Sequence, residues 1–111
     1  VGLNTDDSVR AQNKDPMRPI VPADQRAEVL AALQTVDYVI PYDEPTPEQL
    51  VRQLNPDVLV KGQDWAERGV VGREHVERNG GRVVLVPLVE GWSTTSIINE
   101  YAEECQNERT D

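Results

Sequence analysis

The chain has no phenylalanine, one cysteine (Cys105) and one histidine (His75), and each shortage narrows what it can do. A single cysteine forms no intrachain disulfide, so a reducing compartment, the cytoplasm, is the simpler setting. A single histidine, set among Glu74 and Glu77, builds neither a His/Cys metal cluster nor a Ser-His-Asp relay, and reads as a surface residue; no metal site is expected from the residues. No apolar run approaches the ~18 residues of a membrane helix. Signal-peptide and Walker-type patterns are absent, as are internal repeats and low-complexity stretches. Basic residues are scarce as well: 11 against 20 acidic ones give a net charge of −9. That sign argues against nucleic acid and anionic membranes as partners, since both need a basic face.

What remains is aliphatic. The apolar fraction of 38% lies mostly in Val, Leu, Ile and Ala, a palette suited to buried parallel strands. The 111 residues suffice for one domain. Four β-branched runs, at residues 1–3, 38–40, 58–60 and 83–88, alternate with helical spacing. Ala27, Leu30, Ala31 and Leu33 share one face of a helix from about residue 24. Thr46-Pro47-Glu48 reads as a helix start with Thr as N-cap and Pro in the first turn. A weaker helix over 71–78 closes on Asn79-Gly80-Gly81, and a last one over 93–105 turns Ile97, Ile98, Tyr101 and Cys105 inward. Strands alternating with helices predict an α/β fold with a mostly parallel sheet. The domain is expected over 1–105, with 106–111 as a disordered tail. Val1-Gly2-Leu3 is apolar from the first residue, whereas a terminus is usually polar and frayed, so the start reads as a cut inside a strand.

Ligands of open α/β sheets bind beyond the carboxyl ends of the strands. The first strand is followed by Asn4-Thr5-Asp6-Asp7, the third by Lys61-Gly62-Gln63-Asp64-Trp65, and the fourth by Glu90-Gly91-Trp92-Ser93-Thr94-Thr95. Tyr42-Asp43-Glu44, after the second, is read as ordinary polar loop. Gly91 allows close backbone approach, and three hydroxyls then open a helix whose free amides suit an anion; simple N-capping by Ser93 or Thr94 is the alternative. Lys61 stands where it could neutralise a phosphate or simply be solvated, and Asp64 with Trp65 could orient a polyol. Lys14, Arg18 and Arg26 form a basic group in an otherwise acidic chain. Arg26 near a helix start is opposed by the helix dipole, which points to a fixed anion or to a surface salt bridge with Asp24 or Glu28.

Four stretches together resemble the heptose-1-phosphate adenylyltransferases of the cytidylyltransferase-like superfamily: Gly2-Leu3-Asn4-Thr5-Asp6-Asp7-Ser8-Val9; Arg18-Pro19-Ile20-Val21-Pro22 through Gln25-Arg26 to Leu30 and Leu33; Asp57-Val58-Leu59-Val60-Lys61-Gly62-Gln63-Asp64-Trp65; and Gly91-Trp92-Ser93-Thr94-Thr95-Ser96-Ile97-Ile98. The resemblance implies a Rossmann-like parallel sheet and transfer of AMP from ATP to a heptose 1-phosphate, with release of pyrophosphate and with Mg²⁺. It implies that Arg18, Arg26, Ser93, Thr94 and Thr95 hold ATP, and that Asn4, Lys61 and Asp64 lie on the sugar-phosphate side. It allows a homodimer, and some members carry a sugar kinase on the same chain. The chain departs from the family in two places. Leu88-Val89-Glu90-Gly91-Trp92 lacks the arginine common in the wider superfamily before Ser-Thr-Thr. No His-x-Gly-His motif is present either, so no catalytic residue is assigned here. In the family's sheet order, 3-2-1-4-5, the strand ending in that motif is the first and central one. A chain lacking it is expected to be inactive alone and poorly stable, with two strand pairs exposing unpaired inner edges. A cytidylyltransferase for glycerol phosphate or a similar alcohol phosphate, and a non-catalytic nucleotide-binding module, are the competing readings.

Overall fold

The computed structural model describes residues 1–13, 15–63 and 69–109. In chain order the elements are β1 (Gly2–Asn4), α1 (Asp6–Ala11), α2 (Ala23–Ala31), β2 (Ile40–Tyr42), α3 (Glu48–Leu54), β3 (Val58–Gly62), α4 (Arg73–Arg78), β4 (Arg82–Val86) and α5 (Thr94–Arg109). Strands β1 and β2 pair in parallel, with Gly2 opposite Ile40 and Asn4 opposite Tyr42. Strands β3 and β4 also pair in parallel, from Val58 opposite Arg82 to Gly62 opposite Val86. Among the described residues these are two separate two-stranded sheets. The expected alternation of parallel strands and helices is thus present as two pairs.

Local chemistry accounts for most element boundaries. Thr5 starts α1, its Oγ1 accepting the Ser8 amide at 3.3 Å, and Asp6 and Asp7 complement the positive helix end. Asn55 closes α3 in the left-handed region at φ 46°, a conformation asparagine tolerates better than most residues. Past α4 the chain turns through Gly80 at φ 84° and reaches Gly81. There a Cβ would stand 2.7 Å from both the Asp57 carbonyl oxygen and Val76 Cγ1, so only glycine lets β4 start this close to α4.

Helix α3 joins the halves. Leu50 Cδ2 lies 3.0 Å from where a Cβ on Gly2 of β1 would be, and Val51 Cγ1 lies 2.8 Å from the corresponding point on Gly72, just before α4. Among the described residues the buried apolar side chains are Leu3, Val51, Val70, Val76 and Ile98. Val58 and Val60 of β3 remain 41% and 55% exposed, although apolar residues on parallel strands are normally covered. The radius of gyration is 16.4 Å, against about 13 Å for a compact domain of this size. No described helix is long and apolar enough to cross a membrane.

Several expectations need correction. Strand β2 lies two residues later than residues 38–40. Helix α2 ends at Ala31, leaving Ala31 and Leu33 exposed and only Ala27 and Leu30 half-buried. Thr46 does not cap α3; Pro47 holds the N-cap position without a side-chain bond. On α5, Ile98 is buried, but Ile97, Tyr101 and Cys105 are exposed, because no other described element covers that face. The helix also continues through Arg109, past Cys105, where the folded part was expected to end. His75 is half-buried, with Nε2 out of solvent and without a hydrogen-bond partner among the described residues.

Candidate functional site

Beyond the end of β1 lies a cavity of about 340 Å³ bounded by Asn4, Val9, Gln12, the loop from Arg18 to Val21, Arg26 and Thr94. Each element contributes for a local reason. β1 delivers Asn4, the first turn of α2 presents Arg26, and the start of α5 supplies Thr94. The loop carrying Arg18 crosses a cis Arg18–Pro19 peptide and is tied to α5 by Arg18 Nη2, which donates to Thr95 Oγ1 at 2.9 Å. The lining contains two arginines and no carboxylate, in a chain of net charge −9. The site is therefore locally cationic against the global sign.

The two arginines are engaged differently. Arg26 donates from Nε to the Val21 carbonyl at 2.9 Å, and from Nη2 to the Asn4 carbonyl and Asp6 Oδ1, both at 3.0 Å. Its acidic partner is therefore Asp6, rather than the Asp24 or Glu28 of the salt-bridge alternative. Asp6 Oδ1 also accepts the Ala23 amide at 3.0 Å, so one carboxylate fastens the start of α2 and its arginine to the end of β1. Among the described residues the Arg18 guanidinium has only the Thr95 hydrogen bond, and its Nε is buried without a partner. A buried cationic donor left unpaired is costly.

The three hydroxyls at the start of α5 have three separate roles. Ser93 Oγ accepts the Ser96 amide at 3.0 Å and shares a 2.9 Å hydrogen bond with the Ser96 hydroxyl, so Ser93 is the helix cap. Thr94 borders the cavity. Thr95 anchors Arg18. The amides of Thr94 and Thr95 have no protein acceptor among the described residues and carry the partial positive charge of the helix end. Gly91 adopts φ 81° and turns the chain; no atom lies within 4 Å of a Cβ placed on it, so the close approach expected there is not made to the protein.

Lys61 is placed elsewhere. It borders a second cavity of about 280 Å³ with Gln12, Tyr42 and Thr46, and a third of about 440 Å³ between β1 and β3. Burial raises the Tyr42 phenol pKa above its ordinary 10.0. The expected Asp64 and Trp65 contacts, and Lys14 of the basic group, lie outside the described residues. Sequence reasoning set Tyr42 aside as loop and passed over Gln12 and Thr46; no spacing rule brings these three together, since the crossovers do so.

A parallel α/β chain with an anion-ready helix start beyond its strand ends has close relatives. The chain matches the cytidylyltransferase-like family over residues 1–100 and belongs to it. Among individual proteins it is 47% identical to bifunctional protein HldE of Trichlorobacter lovleyi, over 98% of this chain and 22% of that protein. It is 52% identical to HldE of Citrifermentans bemidjiense over 90% of the chain and 20% of that protein, and 51% identical to HldE of Geobacter sulfurreducens over 94% and 22%. The chain thus spans about a fifth of the length of the curated relatives it matches.

Proposed function

We propose that the protein containing this chain transfers AMP from ATP to a heptose 1-phosphate, giving ADP-heptose and pyrophosphate for the lipopolysaccharide core. The observation that carries the reading is the cationic cavity, where Arg18, Arg26 and the open end of α5 at Thr94 line one space. Those groups suit a polyphosphate. The about 50% identity to HldE across nearly the whole chain, with the heptose-family motifs, favours ATP and heptose 1-phosphate over CTP and glycerol phosphate. In the reaction an oxygen of the sugar phosphate forms a bond to the α-phosphorus, and the bond to pyrophosphate breaks, pyrophosphate leaving with the electron pair. Arg18, Thr94 and the α5 amides would hold the nucleotide phosphates, with Ser93 and Thr95 fixing the helix start and Arg26 fixing the cavity wall. Asn4 lies beside these groups, while Lys61, and with it Asp64, would serve the sugar-phosphate side.

Magnesium does not fit these residues as a protein-held ion. No group of three acidic, imidazole or thiol side chains converges among the described residues, and Asp6 is already committed to Arg26 and Ala23. In this reading Mg²⁺ would come with the ATP phosphates as part of the substrate. The cytoplasm, where ATP is at hand, is the setting, and a homodimer is compatible.

The same reading places a further strand between β1 and β3, bearing the histidines that this chain lacks. What supports it is the cavity of about 440 Å³ between them, walled by Val1 and Gly2 on one side and residues 58–61 on the other, with Leu50, Val51 and Leu54 of α3 as floor. A strand there would pair both open edges and cover apolar surface. Two assays test the proposal. Full-length protein given ATP or CTP with heptose 1-phosphate or glycerol phosphate should release pyrophosphate with the ATP–heptose pair. The 111-residue chain should release none; turnover by it would remove the need for the added strand.

A further inference from the structure

The second cavity is next to the first, and one side chain belongs to both. Gln12 lines the cationic cavity with Arg18 and Thr94, and also the space with Tyr42, Thr46 and Lys61. It sits just past α1, where Asp6–Ala11 ends, and its Nε2 donates to the Pro45 carbonyl across a long 3.3 Å bond. That bond draws the amide over the divide between the two spaces, and the Oε1 acceptor has no partner among the described residues. The second space is chemically distinct from the first. It offers a phenol, a hydroxyl, an amide and one ammonium, with Pro45, Pro47 and Val71 as apolar wall and no carboxylate. Lys61 already has an interaction of its own, so nothing here requires its charge to be free. Neutral donors and acceptors beside a single cation suit a phosphorylated polyhydroxy compound, whereas a triphosphate calls for the Arg18 guanidinium and the open α5 amides next door.

We infer that the cavity of Gln12, Tyr42, Thr46 and Lys61 is the acceptor subsite, that it binds a sugar phosphate, and that Gln12 is a specificity residue touching both substrates across the shared wall. The inference rests on the adenylyl-transfer reading above and adds to it the residues that choose the acceptor. A neutral amide is suited to this position because it can donate to one substrate and accept from the other, whereas a carboxylate would repel both anions.

The test is steady-state kinetics of the full-length protein with ATP and heptose 1-phosphate, each varied in turn. Tyr42→Phe keeps the ring that packs by Gly2, and Thr46→Val changes an exposed residue, so neither should disturb folding; matching thermal melts check this. Both should raise KM for the sugar phosphate by about tenfold, the value of one hydrogen bond to a charged ligand, and leave KM for ATP within about twofold. Gln12→Glu should raise both KM values by about tenfold or more, and Gln12→Leu should raise them less, since it removes contacts without adding charge. Unchanged acceptor KM in both Tyr42→Phe and Thr46→Val overturns the subsite while leaving adenylyl transfer standing. An equal rise in KM for ATP in those two variants overturns it too, because the cavity would then serve the nucleotide. If the wild-type protein fails to turn over this substrate pair, the underlying reading falls and the subsite falls with it.

Discussion

The two strand pairs are built to the same plan and held by different forces. The β3–β4 pair has five residues per strand in register and packs on α4, whose Val76 is fully buried, with Gly72 and Gly81 allowing contact too close for any side chain. The β1–β2 pair has three register positions, and its surroundings are fastened by polar links. Arg26 binds Asp6 and the Asn4 carbonyl, and the buried Ser8 donates its hydroxyl to the Glu44 carbonyl. Among the described residues the apolar half crosses over through one small helix, α4. The polar half must route two helices and the Arg18 loop between its strands, and that detour creates the cationic cavity. The candidate nucleotide site therefore lies on the half whose geometry depends on directional contacts.

The largest effect is expected where the halves meet. Gly72 sits at φ 88°, and a Cβ there would lie 2.8 Å from Val51 Cγ1 and 3.1 Å from Val51 Cβ. Gly72→Ala combines backbone strain with overpacking, so it should cost about 2–4 kcal/mol in urea unfolding of the full-length protein. A loss under about 1 kcal/mol would mean that α3 does not clamp the two halves as described. Asp6→Ala comes next. It strips Arg26 of its acid and the Ala23 amide of its acceptor, in a pair whose side chains are 22% and 31% exposed. A partly buried cation left unpaired should cost about 1–3 kcal/mol. Because Arg26 borders the cavity, KM for ATP should also rise severalfold. Unchanged nucleotide binding in Asp6→Ala would separate the clamp from the site.

How far the sequence disclosed this arrangement follows the same division. Strands β3 and β4 were legible because continuous Val and Leu runs mark them, and α4 because Asn79-Gly80-Gly81 ends it. Strand β2 was read two residues early because the apolar run at 38–40 marked it, whereas the strand is Ile40–Tyr42. In an edge strand proline is tolerated, and here Pro41 lies opposite Leu3 while the ladder is carried by the Ile40 amide to the Val1 carbonyl and the Thr5 amide to the Tyr42 carbonyl. Helix α1 was missed although Thr5-Asp6-Asp7-Ser8 carries the signals of a capped start; six residues are too few for an apolar period to show. The cluster of Arg18 and Arg26 near Thr94 was anticipated through motif resemblance. Its wiring was not, because Asp6 reaches Arg26 across 20 residues and Arg18 reaches Thr95 across 77, separations that no helical or strand period encodes. Pairing Arg26 with its nearest acidic neighbours failed for that reason.

The smallest effect offers the cleanest control on the comparison. Arg73 Nε and Glu77 Oε1 form a 2.9 Å ion pair one turn apart on α4, with side chains 45% and 51% exposed. Its length is close to that of the 3.0 Å Arg26–Asp6 pair; burial and shared partners make the difference. On a helix surface such a pair contributes only about 0.3–0.5 kcal/mol and is screened by salt. Glu77→Gln should therefore shift urea unfolding of the full-length protein by no more than that, and 1 M salt should erase the difference. The Asp6→Ala deficit should largely persist in the same salt, since that carboxylate also serves the Ala23 amide and its pair is withdrawn from solvent. If the two deficits instead respond to salt alike, the Arg26–Asp6 pair is an ordinary surface contact, and the polar half must owe its shape to the backbone and to Ser8.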